Sequence, residues 1–137
     1  MKIELTTKQY RRLLDMVYIG NWVLNSARGL DRFRDYDEVE SLLFALAPTV
    51  GMPTLTGVDC GEIVPSTAFV EGGIHEAIID YENGVFFDIL AEELTRRDMN
   101  DVPIDDDNCD EFYSRMDRYL DEFEAHGTDH VRVEAEL

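Results

Sequence analysis

Tyr10, Leu13, Leu14, Val17 and Leu24 recur at intervals that place them on one face of a helix. Thr6 precedes them with Gln9 three residues on, the spacing of a capping box, in which each side chain satisfies a backbone donor of the other's residue. From Met16 onward, Ile19, Trp22 and Val23 turn the remaining faces apolar as well. A helix apolar all round is buried on several sides. The pattern predicts a central helix over residues 7–27, ended near Gly29, with Gly20 leaving room for another helix to approach. Val39, Leu42, Leu43 and Leu46 then step by three and four, which predicts a second helix over 38–47. Asp37 is its expected cap and Pro48 its stop, because proline disfavours helical geometry in the residue before it.

Residues 48–71 lose the periodicity. Pro48, Gly51, Pro53, Gly57, Gly61 and Pro65 punctuate them, and the segment reads as an irregular connection with a helical turn. Residues 72–98 carry two conflicting signals. Asn83-Gly84 is a hairpin dipeptide between apolar runs, whereas Ile74, Ile78 and Tyr81, then Phe86, Phe87, Leu90 and Leu94, keep helical spacing. The strong helix formers Ala91 to Leu94 decide for helix, with Gly84 as the point of any kink. After an acidic loop over 99–108, Phe112, Met116, Tyr119, Leu120 and Phe123 predict a last helix. It runs from a cap at Asp107 or Asn108 to about Ala125, with Gly127 closing it. Val131, Val133 and Ala135 alternate with Arg132, Glu134 and Glu136, a strand pattern whose natural partner is Ile3–Leu5. The fold class is therefore mainly α: one helical bundle of about four helices over residues 1–137, with a small two-stranded sheet formed by the N- and C-terminal segments.

Charge changes this picture more than length does. The 137 residues are 45% hydrophobic, enough for a core, but 30 acidic side chains face 12 basic ones and leave a net charge of −18. Residues 1–70 hold nine acidic and seven basic residues, net −2; residues 71–137 hold twenty-one and five, net −16. Adaptation to a salty cytoplasm would load both halves, so the bias reads as one strongly acidic face. Such a surface opposes direct binding to nucleic acid or to an anionic membrane. The first residues lack a basic region followed by an apolar run, and the apolar stretch Met16–Leu24 is too short to span a bilayer. The expected location is cytoplasmic, where Cys60 and Cys109 remain free thiols.

Candidate chemistry is sparse. Asp106, Asn108 and Asp110 fit positions 1, 3 and 5 of a calcium loop, but Glu111 replaces its glycine and Asp117 its bidentate glutamate. The run reads as a solvated helix cap. His126 and His130 are four residues apart, yet Gly127 interrupts the helix between them and no motif supplies a third ligand, so they read as surface histidines. His75 and Asp80 could form an acid–base pair on one helical face, an arrangement common on helix surfaces. Cys60 sits beside Asp59 and Glu62 and lacks the positive field that activates a thiolate. No nucleophile elbow, phosphate loop or dinucleotide fingerprint is present. No catalytic residue, cofactor or metal is expected, and the balance leans away from an enzyme.

The leading expectation is an intracellular binding or regulatory module. Its acidic face would be built from residues 71–137, with Asp110, Glu111, Asp117, Asp121 and Glu124 at its centre, and would engage a basic protein partner. An inhibitor or a nucleic-acid mimic is the sharper form. The alternatives are a homo-oligomeric scaffold whose charge serves solubility, and a small metal-dependent protein using Asp106 and Asp110 or His126 and His130.

Overall fold

The computed structural model describes residues 2–132, and the chain divides into two units, Met1–Ile79 and Asp80–Leu137. The fold is mainly α with one small antiparallel sheet. Four helices exceed ten residues among the described residues.

In the first unit, α1 spans Thr7–Asn25. Its capping box forms as the spacing predicts: the Gln9 N–H donates to Thr6 Oγ1 at 3.3 Å, and the Thr6 N–H donates to Gln9 Oε1 at 2.9 Å. Helix α2 covers Arg34–Phe44 and begins four residues earlier than predicted. Asp37 thus lies inside the helix and does not cap it; Phe33 occupies the cap position without a side-chain bond. Pro48 falls in a 3-10 turn, Ala47–Val50, and a second such turn covers Pro53–Leu55. Strands β1 (Thr56–Asp59) and β2 (Glu62–Pro65) follow, paired antiparallel from Thr56 opposite Pro65 to Asp59 opposite Glu62. The two-residue turn between them, Cys60-Gly61, has φ of 49° and 88°. Positive φ at both positions is the type I′ geometry that matches strand twist.

The sheet therefore lies in the connection that the sequence pattern left irregular. Ile3–Leu5 is in no strand, and neither are Val131 and Arg132; residues 133–137, which carry most of the expected terminal strand, lie outside the described residues. After β2, Ser66 caps the one-turn helix α3 (Thr67–Phe69) by accepting from the Phe69 N–H at 3.1 Å. A wide turn, Val70–Ile74, leads into α4 (His75–Asp98). Gly73 adopts φ 105° there, which an L side chain rarely tolerates. The break in the helical run falls at Gly72-Gly73, not at Gly84, because α4 continues through Asn83-Gly84.

The core of this unit gathers Leu14, Phe44, Ala47 and Phe69, all without exposed surface, with Tyr10, Tyr18 and Ile78. Phe69 meets the rings of Phe44 and Tyr18 edge-on, at 4.8 and 5.5 Å between centroids. The Tyr10 hydroxyl donates to the Leu43 carbonyl at 2.5 Å, which ties α1 to α2. Contrary to the all-round apolar reading, α1 leaves Met16 and Val23 each 69% exposed, while the polar Asn21 and Asn25 are buried. The asparagines go inward because the start of α2 and the loop before it hold partners for their amides.

In the second unit, the remainder of α4 and α5 (Cys109–His126) supply the core. Ala91, Thr95, Phe112 and Phe123 are buried, Phe87 lies 5.3 Å from Phe123, and the Arg96 guanidinium sits over the Phe112 ring. The Tyr119 hydroxyl donates to Asp98 Oδ2 at 2.5 Å. The two helices are joined through Asn100 and Asp101, both at φ 54°, a region that these two residue types tolerate better than most. Among the described residues no helix is long and apolar enough to cross a membrane.

Candidate functional site

Helix α5 turns by about 100° per residue, so Asp110, Asp117, Asp121 and Glu124 fall within about 60° of one another along a stripe about 21 Å long. Phe112, Met116, Tyr119, Leu120 and Phe123 occupy a separate arc that borders the stripe at Leu120, and burial of Phe112 and Phe123 leaves the acidic stripe facing solvent. All four of its carboxylates are exposed. Among the described residues, none of the four takes part in an ion pair. Glu111 stands apart: it lies on the adjacent arc and pairs with Arg115 at 2.6 Å. Glu92 is likewise paired with Arg96, and Asp98 with Arg97. Hydrogen bonds from Tyr119 and Arg97 hold the Asp98 carboxyl below its ordinary range. Of the five acidic residues singled out from the sequence, four thus share one arc of α5, and Glu111 lies apart beside Arg115.

The acidic loop before α5 is held by hydrogen bonds among its own residues. Asp105 Oδ1 accepts from the N–H groups of Asp107 and Asn108, at 3.0 and 3.3 Å. The Asn108 amide accepts from the Asp105 N–H at 2.9 Å and donates to the Pro103 carbonyl at 3.0 Å. Asn108 takes the cap position of α5, but its side chain is spent on the loop. Among the described residues, Asp106 and Asp110 are in no group of three metal-ligating side chains.

At the other end of α5 the outcome differs. Gly127, with φ 57°, ends the helix and turns the chain back, so that His130 Nδ1 comes within 2.5 Å of Glu122 Oε1. The rings of His126 and His130 have centroids 4.6 Å apart. Glu122, one helical turn before His126, brings a carboxylate oxygen within 4.8 Å of a ring nitrogen of each of His126 and His130. His75, the remaining histidine, packs edge-on against Trp22 at 4.6 Å, with its Nδ1 3.4 Å from the Tyr18 hydroxyl.

The first unit holds a cleft of about 320 Å³ that sequence reasoning missed, lined by Tyr18, Asn21, Trp22, Asn25, Arg32 and Glu40. Asn21 donates to Asp37 Oδ1 at 3.1 Å, Arg32 donates to both Asp37 oxygens, and Asn25 bridges Asn21, Phe33 and Asp37. These bonds, chiefly the one from Arg32, hold the Asp37 carboxyl low. Glu40 goes the other way. Burial pushes it up to about 7; the negative charge of Asp37 adds to the rise, while Asn21 and Arg32 oppose it. A carboxyl titrating there can exchange a proton near neutral pH. The only signal in the sequence was a pair of asparagines four residues apart in an otherwise apolar helix. Comparison with family models, curated proteins and solved structures finds no match to this chain.

Proposed function

We propose that the protein is a binding or regulatory module that engages a basic protein partner through the acidic stripe of α5. The observation that carries this reading is the set Asp110, Asp117, Asp121 and Glu124: four exposed carboxylates on one helical arc with no ion-pair partner among the described residues. Like charges kept together repel one another, and a cationic surface docked on them removes that repulsion while it steers association. Glu111, Glu92 and Asp98 have arginine partners, whereas the four stripe carboxylates share one arc of a single helix without one among the described residues. An inhibitor or nucleic-acid mimic acting on a basic enzyme is one form of the same chemistry. The test is affinity capture from the native source with the parent and with an Asp117→Asn, Asp121→Asn, Glu124→Gln variant, each eluted by a salt gradient. A partner of high pI retained by the parent, released by salt and lost with the variant supports the reading. Equal capture by both proteins, or no partner for the parent, removes it.

A further inference from the structure

We infer that Glu122, His126 and His130 form a binding site for a divalent transition-metal ion of the zinc class. One ligand atom from each residue lies within 4.8 Å of the others. Zinc takes imidazole nitrogen at about 2.0–2.1 Å and carboxylate oxygen at about 2.0–2.2 Å, which sets tetrahedral ligand atoms about 3.3 Å apart. The present separations are within about 1.5 Å of that spacing, so binding requires the side chains to re-aim and the His130–Glu122 contact to open. His126 and His130 are exposed and Glu122 half-buried, so rotation meets little resistance and an ion has a path in. Three protein ligands leave a fourth position open to water.

The backbone favours this arrangement. Glu122 and His126 are one turn apart on the last turns of α5, on one face. Gly127 reverses the chain, and the Asp129 N–H donates to the His126 carbonyl at 3.1 Å, which folds His130 back toward the helix. Arg97 and Arg132 line the cleft beside Glu122 and His130, but Arg97 is paired with Asp98, and Arg132 donates to the carbonyls of Asp129 and Val131. Two neutral imidazoles and one carboxylate leave a bound divalent ion with a net positive charge, which the surplus carboxylates of residues 71–137 favour. Nitrogen donors select against calcium and magnesium, which take oxygen.

The experiment titrates zinc chloride into the untagged full chain by calorimetry, with magnesium and calcium in excess, and repeats it on His126→Ala, His130→Ala and Glu122→Gln. A Cys60→Ser, Cys109→Ser double variant serves as the thiol control, and far-ultraviolet circular dichroism checks that each variant keeps its helices. One equivalent of zinc should bind the parent and the thiol control alike. Each histidine variant should bind at least about tenfold more weakly. Cobalt chloride should give visible absorption bands in the parent that the histidine variants lose. Absence of saturable binding to the parent overturns the site. So does binding unchanged in both histidine variants, or binding lost with the thiols.

Discussion

Asn25 holds Phe33 by both of that residue's main-chain polar groups. Its Oδ1 accepts from the Phe33 N–H at 2.9 Å and its Nδ2 donates to the Phe33 carbonyl at 3.1 Å. Phe33 is the residue at which α2 starts without a side-chain cap, so an asparagine from the end of α1 does the work of fixing that start. Asn25 is 1% exposed, and its amide also reaches Asn21 and Asp37. Replacing it with alanine strands several buried polar groups together. Asn25→Ala should lose about 2–3 kcal/mol of stability in urea unfolding. A loss within a few tenths of a kcal/mol would mean that water takes over these bonds at no cost.

Glu40 gives the first unit a pH dependence opposite in sign to that of an ion-paired carboxylate. Its carboxyl is raised from an ordinary 4.5 to about 7. Below about pH 4.5 both folded and unfolded chains hold the proton, so the contribution to stability is complete. Between about 4.5 and 7 the unfolded chain releases it and the folded chain keeps it, and stability falls as pH rises through this window. Above about 7 both forms are ionised and the loss is constant. Asp37, whose carboxyl is held low, acts only at the acid end. The melting temperatures of the parent and Glu40→Gln should agree near pH 4.5, with the variant ahead at pH 7.5. A gap that does not change with pH would show that Glu40 titrates normally.

Thr95 is fully buried in the second unit, and its hydroxyl has no hydrogen-bond partner among the described residues. Valine has the same shape and the same branching at Cβ, and it removes the unsatisfied polar atom. Thr95→Val should therefore gain about 1 kcal/mol, read as a rise in denaturation midpoint with no change in slope. Destabilisation by a comparable amount would mean that the hydroxyl finds a partner in solution.

The carboxylates of α5 should dominate the response to salt. Repulsion along the stripe is screened over a Debye length of about 8 Å at physiological ionic strength, against about 30 Å at 0.01 M. The parent should gain stability between those two conditions, and the Asp117→Asn, Asp121→Asn, Glu124→Gln variant should gain less. Identical salt responses would deprive the acidic-stripe reading of its electrostatic basis.

What the sequence determined was local. Thr6 and Gln9 start α1 and Gly127 stops α5, because caps and helix stops act over a few residues through the backbone groups nearest them. The acidic residues of α5 were legible as Asp110, Glu111, Asp117, Asp121 and Glu124, and once the helix exists its period of 3.6 places Glu111 on a different arc from the other four. Only the tertiary structure decided which faces are buried. Asn21 and Asn25 go inward and Met16 and Val23 outward, because burial follows the partners that a neighbouring element offers, and Phe33 and Asp37 offer them. Asp37 had the residue type of a cap, but the loop before α2 made it the hub that binds Asn21, Asn25 and Arg32. The turn at Cys60-Gly61 escaped notice because cysteine is not a residue that favours positive φ, and the pairing of β1 with β2 imposes that conformation. Glu122 and His126 share a face of α5 through their spacing of four, but His130 joins them only because the chain reverses at Gly127, a direction in space that no spacing along the sequence encodes.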